Sequence, residues 1–133
     1  MILLDSHIVL GLFNLTQSFV PKDMLNVFEE TERRFVSVSS IWELSLKYRL
    51  GRLKMNSVPE NLPILFAAAK ITILPITVEH ALAGTNQKAN TKDPFDLVLL
   101  GICQVEKLKL MTLDHALADH PLAWKPKRRR PQK

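Results

Sequence analysis

Lys92-Asp93-Pro94-Phe95-Asp96-Leu97-Val98-Leu99-Leu100 joins two acids to a strongly apolar run. Asp93 is suited to cap a helix, because its carboxylate accepts from orphan backbone N–H groups, and Pro94 suits the first helical position, where no N–H is needed. Asp96 then falls in the first turn, where a carboxylate meets the positive end of the helix dipole. The spacing predicts a helix from Pro94 to about Lys107, followed by a strand at Lys109-Leu110-Met111-Thr112. Taken alone, both acids need do no more than start that helix.

Working outward, the same alternation recurs. Ile2-Leu3-Leu4 reads as a buried strand ending in Asp5, with a helix from Ser6 through Phe13. Pro21 opens a second helix, with Met24, Leu25, Val27 and Phe28 at helical spacing. Phe35-Val36-Ser37-Val38 is predicted as a strand, and Ser40 to Leu50 as a helix closed by Gly51. Pro59 to Lys70 predicts a helix, interrupted or started by Pro63, Ile71-Thr72-Ile73-Leu74 a strand, and Thr77 to Ala83 a short helix. Asp114 starts another short helix, and Leu122-Ala123-Trp124 is a candidate last strand. Strands separated by helices predict an α/β fold with a parallel sheet covered on both faces, because parallel neighbours need crossover connections.

Composition narrows the class. A chain of 133 residues with 47% hydrophobic content fits one domain able to bury its own core. No apolar run reaches the ~20 residues needed to span a bilayer, and Met1 to Asp5 lack the basic start and cleavage site of a signal peptide. Cys103 is alone, so no internal disulfide is expected; it reads as a small core residue in a cytoplasmic protein. The formal charge of +5 belongs to one end: Lys125 to Lys133 hold six basic residues and no acid, leaving 12 basic against 13 acidic residues elsewhere. Residues 1–124 are therefore expected to form the domain and 125–133 a basic, disordered tail, either a polyanion-binding arm or a solvated end.

Ligands in such sheets bind beyond the carboxyl ends of the strands. Asp5 follows the first strand, Glu43 lies in the first turn of the helix begun at Ser40, Asp96 opens its own helix, and Asp114 follows the strand ending at Thr112. Gathered on one rim, four carboxylates would repel and raise one another's pKa unless a cation neutralised them. Hard oxygen ligands suit Mg²⁺ or Mn²⁺. Each acid also has a structural use: Asp5 in a turn, Asp114 as an N-cap, Glu43 in a capping box with Ser40 or an ion pair with Lys47. His7, His80, His115 and His120 lack zinc spacing; His7 and His115, each close in sequence to a candidate acid, read as exposed helical residues, with support of those acids as the alternative. Trp42 and Phe95 read as core anchors. The chain has four glycines, none in a glycine-rich run, which argues against a phosphate-cradling loop.

Met1-Ile2-Leu3-Leu4-Asp5-Ser6-His7, Val38-Ser39-Ser40-Ile41-Trp42-Glu43-Leu44, Leu74-Pro75-Ile76-Thr77-Val78-Glu79-His80-Ala81-Leu82, Asp93-Pro94-Phe95-Asp96 and Thr112-Leu113-Asp114 occur in that order. Together they resemble the PIN domain, and more closely the VapC-type toxins of type II toxin–antitoxin systems. The resemblance implies an α/β/α sandwich with a central parallel sheet of four to five strands. It also implies a metal-dependent endoribonuclease in which Asp5, Glu43, Asp96 and Asp114 hold Mg²⁺, or Mn²⁺. Asp93, Ser6 and Thr112 would support them. RNA is the implied substrate, an antitoxin the implied protein partner, and a homodimer the implied assembly; Phe13, Leu15 and Phe19 are candidate contact residues, with core packing their favoured use. Lys47, Lys92, Arg128, Arg129 and Arg130 are the candidate RNA-binding cations. The chain departs from the family where His-Arg often precedes Asp-Pro-Phe-Asp: here Thr91-Lys92 stand, and Lys92 keeps the charge without the bidentate fork. A nuclease of RNA processing without an antitoxin, or a non-catalytic RNA-binding module, are the alternatives.

Overall fold

Four strands, β1 (Ile2–Leu4), β2 (Arg34–Ser37), β3 (Ile71–Leu74) and β4 (Lys109–Met111), run parallel in the order β3-β2-β1-β4. The structure is a computed structural model and describes residues 1–126. Most of the basic tail, including Arg128, Arg129 and Arg130, lies outside the described residues. Seven α-helices complete the described chain: α1 (Ser6–Leu12), α2 (Lys22–Glu30), α3 (Val38–Arg49), α4 (Leu62–Ala68), α5 (Val78–Thr85), α6 (Pro94–Glu106) and α7 (His115–Ala118).

The two-residue period of a strand divides its side chains between two cores. Ile2 and Leu4 join Ile8, Val9, Leu44, Phe66 and Met111 on the face covered by α1, α3 and α4. Leu3 points the other way, into Leu99, Leu100, Ile102, Cys103 and Leu110 beneath α6. Both faces are thus dry, which is why β1 is apolar at every position. Burial also pushes the Cys103 thiol up to about 12, in keeping with a core residue.

The elements match the expected ones apart from a few boundaries. β2 starts at Arg34 and stops at Ser37, so Val38 belongs to α3 rather than to the strand. The cause is local: the Ser37 hydroxyl accepts from the Ser39 backbone N–H at 3.0 Å and caps the helix three residues earlier than Ser40 would. Ser40 sits inside the helix, no capping box forms with Glu43, and Glu43 falls in the second turn. Gly51, with φ 72°, follows α3 as expected. Leu122-Ala123-Trp124 contributes one parallel bridge, Leu110 to Ala123, and no fifth strand.

Helices α5 and α6 meet almost backbone to backbone. A methyl group on Gly84 would lie 2.7 Å from the Leu97 carbonyl oxygen, and one on Gly101 would overlap the His80 carbonyl and the Gly84 nitrogen. His80 is buried at this seam. Its Nδ1 accepts from the Thr77 N–H at 3.1 Å while Thr77 Oγ1 accepts from the His80 N–H, a reciprocal cap on α5. With Nδ1 accepting, a neutral ring carries its proton on Nε2, which lies 2.9 Å from Glu106 Oε1 on α6.

Candidate functional site

Register brings the first acid to its support. Leu4 pairs with Met111, and the Asp5 N–H donates to the Met111 carbonyl at 3.0 Å, so Asp5 and Thr112 face each other where β1 and β4 end. Thr112 Oγ1 donates to Asp5 Oδ2 at 2.6 Å and accepts from the Asp114 N–H at 3.0 Å. The Asp114 carboxylate in turn caps α7 through the Ala116 N–H at 2.9 Å. One threonine hydroxyl therefore orients both Asp5 and the start of the Asp114 turn.

Asp5 is 4% exposed, and its other oxygen accepts from the Ser6 N–H at 2.7 Å. The Ser6 hydroxyl stands between two carboxylates, 2.8 Å from Glu43 Oε1 and 3.3 Å from Asp5 Oδ1. It has one proton to give, so two negative groups compete for one donor. Glu43, buried on α3, is completed by Lys47 one turn on, whose Nζ lies 2.8 Å from Oε2. Burial drives the Asp5 carboxyl above the usual carboxylate range, against the lowering effect of Thr112, Ser6 and His7; Glu43 adds to the rise.

Asp96 is half-buried and pushed up to about 6, first by desolvation. The Thr91 hydroxyl, donating to Oδ2 at 2.9 Å, opposes the shift, while the charges of Asp93, Asp5 and Asp114 add to it. Asp96 is thus near enough to feel Asp5 and Asp114, and Glu43 reaches Asp5 through Ser6. Asp93 is exposed and occupied as the α6 cap, accepting from the Phe95 N–H at 2.9 Å. Lys92 is exposed beside it.

Thr91 plays a part that the sequence reading left out. Its hydroxyl accepts from the Asp93 N–H at 3.1 Å while donating to Asp96, and so fixes the loop that delivers both acids. The signal was a threonine two residues ahead of an N-cap aspartate, a local turn pattern. Trp42 is a correction of the opposite kind. It is 62% exposed rather than a core anchor, because α3 turns it away from the sheet. It meets Phe95 edge to face at 5.7 Å, lining an apolar hollow of about 340 Å³ with Ile76 and Val98.

The donor chemistry fits a hard divalent cation: the candidate ligands are carboxylate oxygens, of which Glu43 is paired with Lys47. Among the described residues, no three acidic, histidine or cysteine side chains close on a common point as a complete metal-binding group. The acids share a rim and an electrostatic field rather than a finished coordination sphere.

Among solved structures, a chain from a toxin–antitoxin complex of Klebsiella pneumoniae shares this fold, with a TM-score of 0.66 over 96% of this chain and 98% of that one, at 17% identity. No curated protein matches the sequence. The family model described as PIN domain matches residues 2–121, from the first residue of β1 to beyond α7. With the parallel sheet and both helical layers inside that span, the chain belongs to the PIN domain family.

Proposed function

We propose that this chain is a Mg²⁺-dependent endoribonuclease, the toxin of a type II toxin–antitoxin system, which hydrolyses RNA phosphodiester bonds and arrests growth unless an antitoxin binds it. The observation that carries the proposal is the acidic rim itself: Asp5 and Glu43 share the single Ser6 hydroxyl at 3.3 and 2.8 Å, and half-buried Asp96, lifted to about 6 first by desolvation, also feels the charges of Asp5 and Asp114. Crowded acids of this kind are costly in a purely structural role and useful around a cation.

Asp5, Glu43, Asp96 and Asp114 would hold the ion, with Mn²⁺ as a substitute. When bound, it supplies positive charge that lowers the pKa of a water and stabilises charge on the departing oxygen. The chain's own residues set the frame. Thr112 and Ser6 fix both oxygens of Asp5, Ser6 and Lys47 fix Glu43, and Thr91 fixes Asp96. Lys47 and Lys92 offset the rim's charge towards an RNA phosphate. Asp93, tied to the Phe95 N–H, serves the turn that presents Asp96.

The likeness in fold to a chain of the Klebsiella pneumoniae toxin–antitoxin complex supports an antitoxin partner. Of the three candidate contact side chains, Leu15 and Phe13 take the core packing expected of them, Leu15 buried and Phe13 against Phe66 at 5.7 Å, while Phe19 is exposed. A second copy of the chain suits another face. Val38, Trp42 and Leu46 form an exposed i, i+4, i+8 stripe on α3, and Val78 and Leu82 are exposed one turn apart on α5. No helix among the described residues is long and apolar enough to cross a membrane.

The test is direct. Purified full-length chain is incubated with cellular RNA in Mg²⁺, Mn²⁺ or chelator, and the new 5′ ends are sequenced. Cleavage with either metal, 5′-phosphate ends and silence in chelator are expected, with growth arrest on induction relieved by Asp96→Asn. An intact RNA pool in both metals would overturn the nuclease; cleavage without growth arrest would overturn the toxin.

A further inference from the structure

A cavity of about 410 Å³ opens beside the rim, lined by His7, Ser18, Phe19, Leu113, Asp114 and His115. It shares a wall with the proposed centre, since Asp114 is one of its lining residues. His7 lies on α1 two residues beyond Asp5, and His115 begins α7; both are exposed.

Phe19 is the unusual member. It is 77% exposed, yet its neighbour Val20 is buried at 7%, so the core anchors the backbone while the ring stands in solvent. The loop is held further by Thr16, whose hydroxyl lies 2.6 Å from that of Ser18 and accepts from the Ser18 N–H at 3.2 Å. An anchored, outward-facing aromatic ring beside hydrogen-bonding side chains matches how proteins take hold of single-stranded nucleic acid, by base stacking and contacts to ribose and phosphate. The rim itself repels phosphates. His7, His115 and Ser18 offer N–H and O–H donors immediately outside it, and an imidazole donates from one ring nitrogen even when neutral.

We infer that this cavity seats one unpaired nucleotide of the RNA next to the cleaved bond, its base stacked on Phe19 and its ribose-phosphate within reach of His7, Ser18 and His115. This rests on the nuclease reading and adds the part of the substrate that is recognised. Stacking registers that a base is present and unpaired, not which base it is, so this position tolerates all four bases and excludes duplex.

The experiment uses the full chain and a single-stranded oligoribonucleotide containing one mapped cleavage site. Abasic residues replace, in turn, the nucleotides on either side of the cut. Wild type should lose about tenfold or more in kcat/KM at one of the two positions, the range a stacked base commands. Phe19→Ala should lose as much on the intact strand, chiefly through KM, and become indifferent to the abasic residue; Phe19→Trp should recover. Because the ring is exposed, folding should survive each change, which circular dichroism checks. Equal kcat/KM for wild type and Phe19→Ala overturns the inference and leaves the nuclease standing, as does a loss confined to antitoxin binding. If wild type cleaves no RNA, the nuclease reading fails, and anisotropy with a labelled oligouridine decides the cavity. Tenfold weaker binding by Phe19→Ala supports it; equal binding, or none by wild type, overturns it.

Discussion

The α5–α6 seam and the acidic rim both set polar groups among buried neighbours, and they resolve the cost differently. At the seam every polar group has a complementary partner: Thr77 and His80 cap each other, and His80 reaches Glu106 across the two helices. At the rim two carboxylates compete for the Ser6 hydroxyl, and Asp96 is raised first by burial and then by three neighbouring acids. Satisfied networks rigidify a fold, whereas like charges left together weaken it unless something else neutralises them. The seam is built for the folded state alone. The rim is the part for which we propose a ligand.

Removing a rim acid tests that contrast most severely. Asp5→Asn should lower RNA cleavage by at least about a hundredfold, the scale of losing a single charge-stabilising group. The variant should stay folded, because the asparagine oxygen still accepts from the Ser6 N–H while its amide N–H, in place of Oδ2, donates to a Thr112 hydroxyl that rotates to accept it. Cleavage rates and near-ultraviolet circular dichroism check the two halves, and unchanged cleavage would strike Asp5 from the site.

The seam should respond the other way, in stability rather than chemistry. Gly101→Ala places a methyl group against the His80 carbonyl and the Gly84 nitrogen, backbone atoms that yield only if the helices separate. A loss of about 3 kcal/mol, the upper range for overpacking, is expected in urea unfolding, with cleavage per folded molecule unchanged. Glu106→Ala is milder. It strips His80 Nε2 of its partner, but Glu106 is 43% exposed, so water can enter and about 1 kcal/mol is expected by the same measurement.

Legibility followed how local each cause was. The strands and their two-faced burial were readable because an apolar run such as Ile2-Leu3-Leu4 leaves no polar face to solvent. Asp93-Pro94 carries its helix start in two residues, so α6 was placed closely. Ser37, Ser39 and Ser40 offered several competing caps, and the choice among them fell to where β2 stops pairing with β3. The exposure of Trp42 was hidden because α3 carries apolar side chains at Ile41, Trp42, Leu44 and Leu46, too many to define one inward face. The four acids could be named as rim candidates from topology. The Ser6 hydroxyl's bond to Glu43 joins residues 37 apart in sequence, and no local pattern encodes it.

The smallest effect separates a strained rim from a merely acidic surface. Asp96 has a folded-state pKa of about 6, above the ordinary aspartate value of 3.8, so the folded protein holds a proton that the unfolded chain releases. Between those values the folded state binds more protons, and stability falls as pH rises. The contribution is complete below the unfolded value and is gone once pH has passed through about 6. Without divalent cations, wild type should therefore lose part of its melting temperature between about pH 4 and 6, and Asp96→Asn should flatten that slope and melt higher at pH 7. Because Asp96 is only half-buried, solvent screens it, and the change should be smaller than either seam substitution. Added Mg²⁺ should raise the melting temperature of wild type more than that of Asp96→Asn, since binding to the folded state alone stabilises it. A variant with the same pH slope and the same Mg²⁺ response as wild type would mean that Asp96 feels ordinary solvent, and the contrast between rim and seam would disappear.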